Sequence, residues 1–131
     1  MNLGGLDVSR ETMDRLKSYE ALLKKWNPAI NLVAKSTLSD AWTRHFLDSA
    51  QIYQFPGRNV DHWADLGSGG GFPGMVIAMI AMEKTNPGRV TLVESDTRKC
   101  TFLRTVARET DTEVNIIAER IERCKPLQAD V

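Results

Sequence analysis

The stretch Trp63-Ala64-Asp65-Leu66-Gly67-Ser68-Gly69-Gly70-Gly71-Phe72-Pro73-Gly74 decides how the rest of this sequence is read. Five of the eight residues from Gly67 to Gly74 are glycine. Before them, Val60 to Leu66 reads as a strand. After them, Pro73 to about Met82 reads as a helix, with proline suited to its first turn. A glycine cluster works against helix formation, so it serves something else: positive φ and close approach of a ligand to the backbone. A helix start behind such a loop offers free N–H groups and a partial positive charge to an anion.

Downstream, Asn86-Pro87-Gly88 is a turn. Val90 to Val93 is a short β-branched strand ending at Glu94. Thr97 to Glu109 has a helical stripe of Cys100, Leu103, Val106 and Ala107. Val114 to Ala118 reads as a third strand, residues 119–124 as a short helix, and Ala129-Asp130-Val131 as the start of a fourth strand. This alternation predicts a parallel sheet with right-handed crossovers. The expectation is an α/β chain carrying part of a Rossmann-like doubly wound sheet over 59–131, incomplete at its C-terminal end.

Upstream, residues 1–58 form an N-terminal helical extension. Ser9 is a good N-cap, and Met13, Leu16, Tyr19, Leu22, Leu23 and Trp26 recur at helical steps. Asn27-Pro28 is expected to end that helix, because proline disfavours the helical conformation in the residue before it. An irregular run, Ala29 to Val33, follows. Ser39 to Tyr53 makes a second helical region with Trp42, Phe46, Leu47 and Ala50 inward, broken by Pro56-Gly57. Trp26, Trp42 and Phe46 at this spacing read as core rather than as stacking platforms for bases.

The 131 residues are 42% hydrophobic and 26% charged, the profile of one soluble globular domain. No apolar run approaches the ~20 residues of a membrane span. Met1-Asn2-Leu3-Gly4-Gly5 has no charged-then-apolar signal pattern. Cys100 and Cys124 lack partners at metal spacing, so no metal is expected and both read as reduced packing residues of a cytoplasmic protein. Seventeen basic and seventeen acidic residues balance to zero, which neither demands nor excludes nucleic acid. A basic face would have to be made by folding.

Adjacent parallel strands bring their C-terminal ends to one crevice, where α/β sheets bind ligands. Asp65, two residues before Gly67, can accept from an amino group there. Glu94 suits two ribose hydroxyls. Gly67, Gly69 and Gly71 supply bare backbone. Backbone groups of Glu119-Arg120-Ile121-Glu122 can reach an adenine edge, with Ile121 packing on the ring. The joint pattern reads as a site for S-adenosylmethionine, and so as a class I methyltransferase. The rival is a nicotinamide-dependent oxidoreductase: Gly69-x-Gly71-x-x-Gly74 matches the dinucleotide fingerprint and Glu94 follows Gly74 by 20 residues. Against it, Asp65 would repel a pyrophosphate, and Pro73 stands where unobstructed helix amides are needed. A non-catalytic nucleotide-binding module is a further alternative.

The chain also resembles the glucose-inhibited division protein B family, bacterial methyltransferases of guanine N7 in 16S ribosomal RNA. The resemblance runs through Lys25-Trp26-Asn27, Asn31-Leu32, Arg44-His45-Phe46-Leu47-Asp48-Ser49, Asp65 to Gly74, Glu94-Ser95, Arg98-Lys99, Phe102-Leu103-Arg104 and Arg120-Ile121-Glu122. The Gly-Phe-Pro-Gly end of the loop and the Arg-His-Phe-Leu-Asp-Ser helix are its distinctive parts. It implies S-adenosylmethionine contacts at Gly67, Phe72, Glu94, Ile121 and Glu122. It implies that Asn31, Arg44, His45 and Arg120 lie near the target base or its phosphates. Small-subunit RNA or the small ribosomal subunit is the implied partner, and a monomer is expected. Family members continue into a fourth strand and an Ile-Ser-Arg-Ala-like segment, so this chain alone is expected to be weakly active or inactive. Guanine N7 carries a lone pair and no proton, which makes the implied reaction a single in-line displacement without a general base. His45 or Arg44 can donate to guanine O6 or a phosphate. The same residues have plainer readings: Arg44 pairing with Asp48 along the helix, a structural His45, and Asn31 as a turn residue.

Overall fold

The computed structural model describes residues 1–56 and 60–120. The short helix read at 119–124, the strand start at 129–131, Ile121, Glu122, Cys124, Gly57 and the 58/59 boundary lie wholly or partly outside those residues.

The chain opens with an antiparallel pair not anticipated from sequence, β1 (Asn2–Leu3) and β2 (Leu6–Asp7). Gly4-Gly5 joins them with positive φ at both positions, the geometry of a tight two-residue hairpin. The first long helix, α1, spans Arg10–Ile30. Ser9 caps it, its hydroxyl accepting from Thr12 N at 3.2 Å. The cap is reinforced across the fold by Glu83, whose Oε1 accepts from Ser9 N at 2.8 Å and from the Thr12 hydroxyl at 2.6 Å.

Asn27-Pro28 does not end α1, contrary to the sequence reading. Pro28 lies inside its last turn, and the helix stops at Asn31, which adopts the left-handed conformation (φ 49°, ψ 61°) and donates its N–H to Asn27 O. Proline removes one amide and crowds the carbonyl four residues back. That carbonyl belongs to Lys24, and both residues sit on the exposed side, where a freed backbone group costs least. Buried Asn27 then fixes the exit, its Oδ1 accepting from Val33 N at 2.9 Å.

A short helix, α2 (Lys35–Leu38), precedes a π-helical turn over Trp42–Leu47 and then α3 (Asp48–Gln54). The single helix expected over Ser39–Tyr53 is therefore divided by a wide turn that carries Arg44 and His45. Such turns are rare and concentrate at functional sites.

The body follows the expected alternation: β3 (His62–Leu66), α4 (Gly74–Lys84), β4 (Arg89–Glu94), α5 (Thr97–Glu109) and β5 (Asn115–Ala118). The three strands pair in parallel in the order β3-β4-β5, with Leu66 opposite Val93 and Glu94 opposite Ala118. Every residue of α4 from Gly74 to Ile80 is buried, because it lies between the strands and the helices α1 and α3. A helix apolar all round has no other stable place in a domain this small. Head and body share one hydrophobic cluster, including Leu16, Tyr19, Leu23 and Phe46 from the head and Met75, Ile77, Leu92 and Phe102 from the body. Phe46 is fully buried, while Trp42 stacks on it at 5.0 Å and Trp26 tilts against Phe102 at 5.6 Å. Trp26 thereby ties the head to α5, and Phe46 meets Phe72 of the glycine loop edge-on at 5.1 Å.

Candidate cofactor site

Because β3 and β4 are parallel neighbours in register, their last residues deliver Asp65 and Glu94 to the same edge of the sheet. The glycine loop turns over that edge. Gly67 N and Ser68 N both donate to Val93 O, at 2.8 and 3.1 Å, pinning the loop to the end of β4. Gly71 N donates to Ser68 O at 2.8 Å and closes a turn.

Glu94 is buried, and its two oxygens accept from different segments: Oε1 from Gly69 N at 2.7 Å and Oε2 from Asp96 N at 2.9 Å. Its backbone carbonyl accepts from Glu119 N at 3.0 Å and from the Cys100 thiol at 3.2 Å. Asp96 in turn caps α5 by accepting from Arg98 N and Lys99 N. The carboxylate thus joins the loop after β3 to the start of α5, and the backbone carbonyl of the same residue holds the end of β5.

Asp65 lies beneath the loop, and its Oδ2 accepts from Gly74 N at 3.1 Å. Burial raises its pKa above the ordinary aspartate value, with a further push from the Glu94 charge, against the stabilising donors Gly74 N–H and Ser68. A cation arriving here would relieve two neighbouring carboxylates at once. The start of α4 does not offer the free amides expected of it. Gly74 N–H is taken by Asp65, Met75 N–H donates to Gly71 O at 2.7 Å, and Pro73 has none.

The donor chemistry at this edge fits S-adenosylmethionine: two carboxylates for an ammonium and a ribose diol, beside open backbone. A Cβ placed on Gly69 would meet nothing within 4 Å, so that side of the loop is clear. The chain belongs to the rRNA small subunit methyltransferase G family. The family model matches residues 12–131. The chain is similar to the ribosomal RNA small subunit methyltransferase G of Ruegeria sp. (strain TM1040), with 49% identity over 126 residues covering 96% of this chain and 61% of that protein. It is 51% identical to the protein of that name from Ruegeria pomeroyi over 126 residues, 96% of this chain and 61% of the relative. With that of Parvibaculum lavamentivorans it shares 54% over 117 residues, 88% of this chain and 51% of the relative. The chain therefore spans between half and two thirds of the length of these relatives. Its parallel sheet with alternating helices is that of the class I methyltransferase fold that the sequence predicts.

Of the other expected residues, the structure brings Phe72 and His45 together. Phe72 stacks with His45 at 4.9 Å between ring centroids, so the π-helical turn lies directly on the end of the glycine loop. His45 Nε2 is 3.1 Å from the Thr37 hydroxyl. Burial lowers its pKa below the usual histidine value, with Asp48 opposing the effect and Arg44 adding to it. Arg44 is exposed and forms no ion pair with Asp48 among the described residues. Asn31 is exposed and caps α1; the next residue, Leu32, brings its carbonyl to within 3.1 Å of where a Cβ on Gly70 would sit. Arg120, also exposed, directly follows Glu119, whose amide is tied to the end of β4. Among the described residues, no hydrogen bond or ion pair joins Arg44, Asn31 or Arg120 to the glycine loop.

The sequence reading missed Tyr19, Ser68 and Asp96. Tyr19 was placed in the core stripe, but its hydroxyl donates to the carbonyl of Gly70. One signal was available: a tyrosine at a fully buried position needs a partner for its O–H, and a glycine-rich loop has carbonyls to offer.

Proposed function

We propose that the protein carrying this chain transfers a methyl group from S-adenosylmethionine to N7 of a guanine in 16S ribosomal RNA, acting in the cytoplasm as a monomer on small-subunit RNA or the small ribosomal subunit. The observation that carries this is the meeting of Glu94 with Gly69 at 2.7 Å above Asp65, in a chain of this family.

When bound, the cofactor supplies an electrophilic methyl group on a positively charged sulfur. The residues of this chain do the rest. Asp65 pairs with the amino group of the methionine part. Glu94 accepts from the ribose hydroxyls while keeping Gly69 and Asp96 in place, each carboxylate oxygen having more than one lone pair. The backbone at Gly67, Gly69 and Gly71, with Phe72, walls the site, and cofactor contacts from Ile121 and Glu122 are what the family resemblance implies. On the other side, residues 1–58 extend the cofactor domain 59–131 toward RNA: Arg44 and Arg120 meet phosphates, while Asn31 and His45 offer hydrogen bonds to the base. No side chain has to remove a proton, because N7 carries none. Catalysis then rests on alignment and exclusion of water, which can supply several kcal/mol.

Calorimetric titration of the complete protein with S-adenosylmethionine and with nicotinamide dinucleotide, followed by transfer of labelled methyl to 30S particles, tests this. Cofactor binding with label at a guanine N7 is expected. Dinucleotide binding alone would reject the reading, and cofactor binding without transfer would reduce the protein to a binding module. The engaged amides at Gly74 and Met75 argue against a pyrophosphate at the start of α4.

A further inference from the structure

Tyr19 is fully buried in the middle of α1, and besides its core neighbours Phe46 and Phe102 it reaches the cofactor loop. Its hydroxyl holds the Gly70 carbonyl. Its ring stacks on Phe72, with centroids 5.2 Å apart and planes 10° from parallel, and meets Phe46 edge-on at 5.0 Å. The loop follows it closely: a Cβ on Gly71 would lie 2.5 Å from the Tyr19 hydroxyl, and Gly71 has φ +98°. Burial raises the Tyr19 pKa well above the free value, helped by the nearby Asp65 charge, so the hydroxyl remains a donor at any physiological pH.

We propose that Tyr19 is the positioning residue of the glycine loop, holding the Gly70–Phe72 segment from behind so that Gly67 and Gly69 meet the cofactor preformed. The peptide joining Gly70 to Gly71 has its carbonyl on Tyr19 and its N–H on Ser68 O, and therefore cannot rotate without losing both bonds. Since Phe72 also stacks with His45, the hold on the loop is shared with the turn that faces the RNA in the proposed function, on which this inference rests.

The test uses the complete protein with Tyr19→Phe, which keeps the ring stack and removes only the O–H. The dissociation constant for S-adenosylmethionine is expected to rise about tenfold, the size of one buried hydrogen bond, and the KM for cofactor with it. The KM for RNA and kcat at saturating cofactor should change little. Leu23→Val, one turn further along the buried side of α1, is the control: it loosens the same core without touching the loop, and cofactor affinity is expected to hold. An unchanged affinity in Tyr19→Phe, with only the melting temperature lowered, would make Tyr19 a plain core residue and overturn the proposal. A second measurement needs no variant. The Gly71 amide, bonded to Ser68 O, should be protected from hydrogen exchange without cofactor; exchange at the free-peptide rate would equally overturn it. If the wild-type protein itself binds no S-adenosylmethionine, the functional reading fails instead.

Discussion

Replacing Glu94 with glutamine removes one acceptor from a side chain that uses both oxygens. In the folded protein Oε1 takes Gly69 N at 2.7 Å and Oε2 takes Asp96 N at 2.9 Å. A glutamine can satisfy only one; its NH2 group must face the other N–H. A hydrogen bond to a charged acceptor is worth about 1.5–3 kcal/mol, and an orphaned buried N–H costs a similar amount. These describe one event and are not summed, which gives about 2 kcal/mol of lost stability. For a domain of this size that lowers Tm by about 6–10 °C. The variant also loses the negative charge that the ribose hydroxyls would meet. A second loss of about 2 kcal/mol there corresponds to about a 30-fold weaker Kd for S-adenosylmethionine. Thermal melts and calorimetric titration of the complete protein read the two effects separately. Glu109→Gln is the control, since that side chain is exposed and only 4.0 Å from Arg108, an arrangement worth little. A Glu94→Gln protein that melts lower yet binds cofactor within about threefold of wild type would show that the carboxylate ties the loop and takes no part in binding, refuting the reasoning.

Three further outcomes follow from the geometry. The Asp65 pKa is raised chiefly by burial, so as pH falls through that raised value the folded protein takes up a proton before the unfolded chain does. Its buried charge is relieved, but the partner for the ammonium is lost; cofactor affinity should therefore weaken on acidification above pH 3.8, and Asp65→Asn should bind more weakly and flatten that dependence in titrations across the acid range. Burial opposes the charge on Glu83, but donors from Thr12, Ser9 and Lys84 outweigh it and hold the pKa down to about 2. Its contribution to stability is thus fully present above pH 4.5 and lost as pH falls through about 2, and Glu83→Gln should cost about 1–2 kcal/mol at neutral pH, a difference that melts near pH 2 should no longer show. Gly69→Ala meets open space but has φ +56°, costing about 1–2 kcal/mol of backbone strain. Gly74→Ala has no such strain but drives a methyl into Leu92 Cδ2 and to 2.8 Å from Asp65 Oδ2, costing about 1–3 kcal/mol by overpacking. Chemical denaturation should show both losses, and cofactor titration should show Gly74→Ala weakened through Asp65.

The parts of this fold that could be read from sequence are those whose causes are local. The helix α5 begins and ends where expected, Thr97 to Glu109, because Asp96 caps it and an apolar stripe runs its length. The strands β3, β4 and β5 fall within two residues of their expected bounds, since glycines and turn residues bound them and β4 and β5 carry β-branched residues. What escaped depends on partners distant in the chain. Pro28 carries a strong helix-ending signal, and only exposure of the Lys24 side makes it tolerable. The turn at Trp42–Leu47 is widened inside a packed cluster that no periodicity reports. Glu83 capping Ser9 joins residues 74 apart. The convergence of Asp65 and Glu94 was legible because parallel pairing of adjacent strands forces it. That Glu94 would bond to the loop itself was not, because the loop's path depends on Tyr19, nearly fifty residues upstream of Gly67.

In sequence the loop glycines look alike, and that likeness creates the formal match to a dinucleotide fingerprint. The structure separates them by cause. At Gly71 a side chain is barred both by φ +98° and by Tyr19, Leu103 and Met75. At Gly74 it is barred by Leu92 and Asp65, and at Gly70 it would crowd the Leu32 carbonyl at 3.1 Å. These three let protein pack against protein. A Cβ on Gly69 would meet nothing within 4 Å, and Gly67 is exposed; in the proposed function this open part of the loop is where the cofactor lies. In a dinucleotide site the second glycine admits the pyrophosphate; here the glycine in that place, Gly71, admits the hydroxyl of Tyr19. The same spacing has been put to a different physical use, and the two carboxylates below and beside the loop favour a cationic ligand over a polyanion.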